Sequence, residues 1–291
     1  MSKKLFFIFV LALWLLILGF GLKISAESDW QDKVVFCDVG EGDGILITSK
    51  KQKSIVIDGG PDNSILFCLG KNLPWSERRI DLLVISHPDS DHTRGAIEVL
   101  KRYKVLKILF SGALSDTQIF QELLTALEEE VKEGALIEEA VLGKTFDLEN
   151  LKISVLLPKE SFWQKKPNRD HQAMVVVLLK INNSLALFSG DLEKPEAEEL
   201  VSNSQLPKVS LLKVPHHGSK NSLATNFYQA LSPQIAVISV GKNNRYNHPH
   251  KEVLEYLTHQ NIKLFRTDIQ GTINCLPVNF SWHCQAEGDK F

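Results

Sequence analysis

The chain has 291 residues, 44% of them hydrophobic, and a net charge near −2. That length supports a sizeable core in one large domain or two small ones, and ordinary glycine and proline usage without a short repeat argues against disorder or a solenoid. A near-neutral chain is not one that coats nucleic acid by bulk charge, although a local basic groove remains compatible with it.

At the N-terminus Lys3 and Lys4 precede an apolar run from Leu5 to Leu22, followed by Lys-Ile-Ser-Ala-Glu at 23–27. A charged start, an apolar stretch and a small-residue cut ending at Ala26 read as a signal peptide over residues 1–26. The run is also close to the length that spans a bilayer, so an uncleaved membrane anchor is the alternative. Either way, the basic flank places the remainder outside the cytoplasm, secreted or anchored. No long Pro/Ser/Gly linker follows, which predicts one catalytic domain over residues 30–291.

Val34–Cys37 and Ile45–Thr48 read as strands around the turn Gly40-Glu41-Gly42-Asp43-Gly44, and Ser54–Ile57 as a strand ending at Asp58. Leu82–Ser86 is an apolar run ending at His87; helices are expected over Ile97–Tyr103 and Phe120–Lys132. The second half repeats the pattern. Met174–Lys180 and Leu185–Ser189 are strands, the latter reaching Asp191; Ser210–Val214 is a strand ending at Pro215-His216-His217-Gly218; and Ile235–Val240 leads towards His248. Pro195–Val201 and Glu252–His259 read as helices and Ile262–Arg266 as a strand. Hairpins mixed with strand–helix units, and strands apolar on both faces, indicate an α/β sandwich. The four cysteines have no metal-ligand spacing. Cys275 and Cys284 flank a segment that reads as a hairpin, so a disulfide there and four unpaired thiols are both open readings.

Five apolar runs end in polar residues able to bind metal: Asp58, His87, Asp191, His216 and the segment around His248. Ligand sites of α/β folds gather at strand ends, where loops leave a rigid sheet. The hexamer His87-Pro88-Asp89-Ser90-Asp91-His92 packs four donors into six residues. Imidazole and carboxylate without thiolate suit zinc, manganese or iron in a reactive site rather than a structural one. Alternating residues on a tight loop can serve two ions roughly 3.5–4 Å apart. Asp191 is the natural bridging carboxylate. Of the adjacent pair, His216 is nearer the strand end and is expected to ligate, leaving His217 to touch substrate.

These segments, in this order, resemble the metallo-β-lactamase superfamily, and within it the C-terminal hydrolase-like domain of ComEC-type DNA-uptake proteins. The matching stretches are Asp-Val-Gly-Glu-Gly-Asp-Gly at 38–44, Ile-Asp-Gly-Gly at 57–60, Ser-His-Pro-Asp-Ser-Asp-His at 86–92, Ser-Gly-Asp-Leu-Glu at 189–193, Lys-Val-Pro-His-His-Gly-Ser at 213–219 and Ser-Val-Gly-Lys-Asn-Asn-Arg-Tyr-Asn-His-Pro at 239–249. The resemblance implies a four-layer αβ/βα sandwich with a dinuclear metal centre at one sheet edge. It gives Asp58 the role of orienting the metal loop from behind, and His248 that of meeting the substrate or assisting the leaving group. Asp89 stands where many members carry His, which makes the site harder and more anionic and favours phosphodiesters. Two departures stand out: Arg94 replaces the first of two glycines after the loop while Gly95 keeps the second, and His171 lies in a region where the ComEC-like pattern differs, either as a polar loop residue or as an additional imidazole.

The resulting expectation is an exported hydrolase, a phosphodiesterase or nuclease acting on DNA or another phosphodiester. His87, Asp89, Asp91, His92, Asp191 and His216 would hold two divalent ions, zinc or manganese. Asp91 would accept a proton from the attacking water, and His217 and His248 would stabilise developing charge. Lys165, Lys166, Arg169, Lys220, Lys242 and Arg245, all in loops placed at this edge, are either phosphate contacts or solvated lysines and arginines. Hydrolysis of lactams, lactones or thioesters uses the same ligand set, and a surface binding protein that keeps the fold without catalysis is the third reading.

Overall fold

The computed structural model describes residues 7, 11, 13, 14 and 30–291, except 170, 204, 288, 290 and 291. The stretch expected to be a signal peptide or anchor lies outside the described residues, apart from those four positions. Among the described residues no helix is long and apolar enough to cross a membrane.

The first half runs β1 (Lys33–Phe36), β2 (Ile45–Ser49), β3 (Lys53–Ile57), α1 (Ser64–Asn72), β4 (Arg79–Ile80), β5 (Leu82–Ile85), α2 (Ser90–Arg102), β6 (Lys104–Val105), β7 (Lys107–Phe110), α3 (Gln118–Lys132) and β8 (Leu136–Glu139). The second half has β9 (Thr145–Leu148), β10 (Leu151–Leu157), β11 (Val176–Ile181), β12 (Ser184–Phe188), α4 (Lys194–Asn203), β13 (Leu211–Lys213), α5 (Thr225–Leu231), β14 (Ile235–Ile238), α6 (Lys251–His259), β15 (Lys263–Arg266), α7 (Thr267–Gln270), β16 (Ile273–Val278) and β17 (Ser281–Ala286). They assemble into an eight-stranded sheet, β17-β16-β1-β2-β3-β5-β7-β8, and a seven-stranded sheet, β15-β14-β13-β12-β11-β10-β9. In each half, strands joined by turns pair antiparallel, as β1 with β2 and β11 with β12. Strands joined through helices pair parallel, as β3 with β5 and β12 with β13. A helical crossover returns the chain to the same sheet edge, so parallel pairing follows from connectivity.

Period-two alternation distributes the apolar side chains. Val34 and Phe36 of β1 enter the layer between the sheets with Val177, Phe188 and Val237. Val35 turns to the other face, under Leu69 of α1, Val99 of α2 and Leu123 of α3. Leu187 and Leu212 face Leu200, Phe227 and Leu257 of α4, α5 and α6. Two sheets packed face to face with helices on both outer faces form the expected four-layer αβ/βα sandwich. The parallel strands β3, β5, β12, β13 and β14 all end at one edge, where the polar motifs begin.

Two details differ from the sequence expectation. The second helix starts at Ser90, not Ile97, so Asp91 and His92 lie in its first turn. The contact that holds this turn is between α2 and the loop after β3: a Cβ on Gly95 would sit 1.9 Å from the Gly59 carbonyl oxygen. Arg94 is exposed, so of the two positions only Gly95 meets the steric demand. The cysteines form two disulfides: Cys275–Cys284, between directly paired residues of β16 and β17, and Cys37–Cys68, joining the end of β1 to α1. The unpaired-thiol alternative is therefore set aside. The second pairing spans 31 residues and left no local signal.

Candidate metal centre

The end of β5 delivers the loop at 86–92, and the end of β3 delivers Asp58 behind it. Asp58 is fully buried in a left-handed conformation, φ 55°, an unfavourable state for a residue with a Cβ. Its carboxylate accepts from the Ser86 amide at 2.8 Å and the Ser86 hydroxyl at 2.6 Å, and lies 2.9 Å from Nδ1 of His92. Ser86 Oγ is in turn 2.9 Å from Nδ1 of His87. One carboxylate thus fixes two imidazoles through their Nδ1 atoms and leaves both Nε2 atoms facing forward. Such partners behind a ring set its tautomer and raise its basicity towards a metal.

Across the edge, β12 ends at Asp191 and β13 at the turn Pro215–Gly218. His216 and His217 both have positive φ, 49° and 52°. This consecutive left-handed pair lets adjacent rings reach one carboxylate: Nε2 of His216 is 3.6 Å and Nε2 of His217 is 3.4 Å from Oδ2 of Asp191. Nε2 of His92 lies 3.3 Å from Oδ1 of the same group. Nδ1 of His217 is 2.8 Å from the Ser239 carbonyl oxygen, so this ring too presents Nε2 forward. The Nε2 atoms of His87, His92 and His217 and Oδ1 of Asp191 are buried without a hydrogen-bond partner. Buried polar atoms are ordinarily paired. Four unpaired donors converging from three strand ends fit a divalent cation, and an imidazole–carboxylate mixture is a donor set such ions take.

Asp91, His92, Asp191 and His217 offer atoms that all lie within 4.8 Å of one another. His171, Glu193 and His216 form a neighbouring group of the same kind. The His171 ring centre is 5.4 Å from that of His87 and 5.3 Å from that of His216, and Asp89 Oδ2 is 3.6 Å from Nε2 of His87. The predicted ligands therefore do come together, but His217 rather than His216 joins the compact group with Asp91, His92 and Asp191. His171 also faces the site instead of lying apart as a loop residue.

Charge within the cluster is tightly balanced. Burial opposes protonation of His92, but Asp191 and Asp58 outweigh it and hold the ring well above the usual histidine range. Burial likewise disfavours the charged His217, and Asp191 and Asp91 override it, raising that ring to about 10. Asp191 resists burial through His217 and His92 and stays well below the usual carboxylate range. Asp91 is held low against burial by His217 and His92, so it remains ionised, the state that both a cation ligand and a proton acceptor require. His216 differs: burial dominates and lowers it to about 4, despite Asp191. Cations at these positions would take the place of the protons.

Three supporting residues escaped the sequence reading. Lys213, fully buried, donates to the Gly190 carbonyl at 2.9 Å and pairs with Asp43 at 2.5 Å and Asp191 at 3.6 Å. Its signal was a lysine at the end of a wholly apolar strand, since a charge is buried only when paired. Asp43 is carried by the glycine turn, where a Cβ on Gly42 would meet the Asp91 carbonyl oxygen at 1.9 Å. That turn also carries Glu41, whose Oε1 is 3.2 Å from Nδ1 of His248. His248 stands beside the pair, its ring 5.7 Å from His216 and stacked on the exposed Tyr246 at 5.5 Å. A cleft of about 340 Å³ opens on His87, Asp89 and His171, with Lys166 and Arg169 on its wall. Both are partly neutralised, Lys166 by Asp116 and Arg169 by Glu196.

Residues 37–242, more than half of the chain, match the metallo-beta-lactamase superfamily, and the chain belongs to that family of hydrolases. Among curated relatives, the ComE operon protein 3 of Bacillus subtilis is 31% identical over 265 residues, covering 84% of this chain and 33% of the relative. The competence protein ComA of Neisseria gonorrhoeae is 28% identical over 262 residues, covering 89% and 34%. Recombination protein 2 of Haemophilus influenzae is 26% identical over 262 residues, covering 89% and 30%. The chain thus spans about a third of the length of these relatives. Among solved structures, the metallo-beta-lactamase fold protein YhfI of Bacillus subtilis superposes with a TM-score of 0.51 at 12% identity, covering 81% of this chain and 96% of that one. Zn(2+)-bound PqqB of Methylobacterium extorquens gives 0.51 at 10% identity, covering 80% and 97%. These likenesses speak to the fold alone.

Proposed function

We propose that the protein is an extracytoplasmic, metal-dependent phosphodiesterase acting on DNA or another phosphodiester. The carrying observation is the convergence of unpartnered buried Nε2 atoms of His87, His92 and His217 on Asp191. In this reading Asp91, His92, Asp191 and His217 would hold one ion, and His87, Asp89 and His171 beside them would hold a second. Zinc or manganese bound there would supply an activated water and a Lewis acid for the phosphoryl oxygen. The chain's own residues do the rest. Asp58 and Ser86 keep the imidazoles in one tautomer, Lys213 balances the carboxylates behind them, and Glu41 orients His248 towards charge developing on the leaving group.

Asp89 makes the site harder than an all-imidazole one, and the cleft beside it carries Lys166 and Arg169; both favour an anionic ester over a neutral carbonyl substrate. Relatives named for competence and recombination point to DNA as the first substrate to try. Two disulfides suit an oxidising compartment, in keeping with the apolar N-terminal run and its basic flank. Single-stranded DNA, bis(nitrophenyl) phosphate and a chromogenic lactam, assayed side by side with manganese and with zinc, test the reading. It expects hydrolysis of the two phosphodiesters, abolished by Asp191→Ala. Turnover of the lactam alone would replace it.

A further inference from the structure

The chain enters the fold at the end opposite the metal centre. β1 runs from Lys33 towards Cys37 and the glycine turn over Asp91, so its first residue marks the far end of the sheet. Trp30 is buried in the hydrophobic cluster that also holds Leu69 and Leu73 of the α1 region and Tyr103 after α2, and Lys33 Nζ donates to the Asn72 side chain at 2.8 Å. Beside this entry point Phe67 and Trp75 are 75% and 70% exposed, across a groove of about 600 Å³ also lined by Arg78, Lys101 and Arg102. Arg78 donates to the Trp75 carbonyl at 3.1 Å, which stiffens the turn that presents the indole. The acids nearby are engaged locally: Glu77 accepts from the amides of residues 78 and 79, and Glu98 pairs with Lys101. Two large exposed aromatics beside the exposed Arg78, Lys101 and Arg102, on the outer side of α1 and α2, are the composition of a surface that sits at a membrane interface.

The length of chain before Trp30 identifies the occupant. Only residues 23–29 separate Leu22, the end of the apolar run, from Trp30, a reach of roughly 25 Å at full extension. If the run lies in a bilayer, the tether holds this end of the domain within that distance of the headgroups. We propose that the face carrying Phe67, Trp75, Arg78 and Arg102 rests on an anionic phospholipid surface, leaving the metal centre turned away towards solvent and macromolecular substrate. The proposal rests on the anchor reading of residues 5–22 and adds the orientation of the domain.

The full chain reconstituted in phosphatidylcholine vesicles, with and without phosphatidylglycerol, tests it through quenching of tryptophan fluorescence by brominated lipid. Trp14 lies within the apolar run and reports the anchor; Trp75 reports the face. Both Trp14→Phe and Trp75→Phe are expected to lose a quenched component in anionic vesicles. Phe67→Asp combined with Arg78→Glu, both at exposed positions, is expected to move Trp75 from lipid quenching to aqueous iodide quenching while Trp14 stays protected. Quenching of Trp14 alone, with Trp75 open to iodide in every vesicle, would overturn the docked face and leave the anchor standing. No lipid quenching of Trp14 would remove the anchor and the proposal with it.

Discussion

At the scale of single residues, the centre is a set of imidazoles aimed by partners behind them. Asp58 is the strongest case, since it serves His92 directly and His87 through Ser86. Asp58→Asn keeps the shape and removes the charge. It is expected to weaken divalent metal binding about 10–100-fold, read by titration against a competing chelator, whereas unchanged affinity would deny Asp58 that role. His217 carries a pH signature. Its folded-state value of about 10 lies above the ordinary 6.5, so its stabilisation of the metal-free protein is complete below about pH 6.5 and lost as pH rises through about 10. Thermal melts of metal-free protein should therefore show Tm falling on the alkaline side, and His217→Gln should flatten that limb. Metal binding displaces the same protons, so affinity for zinc should climb with pH over this range.

At the scale of elements, the strands and the clustering of donors at their ends were legible because apolar runs and chemistry-bearing residues alternate in the sequence. His87, Asp191 and the His216–His217 pair were found that way. Which ring of the pair groups with Asp91, His92 and Asp191 was not, because it depends on two consecutive left-handed residues, a conformation that no periodicity announces. His171 was ambiguous for a related reason: its own φ is 60°, and its neighbours His87 and His216 are distant in sequence. Asp43 and Lys213 meet only when the two sheets close on each other. Helix α2 began earlier than its apolar period suggested, since its first turn is occupied by the ligand loop itself. The close approach of Gly95 to Gly59 gives this element its own test. Gly95→Ala should destabilise the fold by about 1–3 kcal/mol through overpacking, seen as a lower denaturant midpoint, while Arg94→Gly should leave the midpoint nearly unchanged.

At the scale of the whole molecule, two half-sandwiches each contribute part of the site, β3 and β5 from one sheet and β12, β13 and β14 from the other. The Cys37–Cys68 bond ties the strand that leads into the glycine turn to the helix beside it. Removing it by Cys37→Ala with Cys68→Ala should cost about 2–4 kcal/mol, measured by chemical unfolding under oxidising conditions. An unchanged midpoint there would mean that the thiols are unpaired in solution. The four-layer architecture and the family were carried by motif order along the chain; the Cys37–Cys68 bond was not, because it is set by a contact between segments 31 residues apart.

The Asp191-centred cluster performs this chemistry only if it holds cations. Metal content per chain of the folded protein, loaded with zinc or manganese and freed of excess ion, tests this most directly. Two ions per chain are expected for the wild type, with none retained after His87→Ala combined with Asp191→Ala in a protein that still melts cooperatively. A folded wild-type protein with no stoichiometric metal would contradict a metal centre at Asp191.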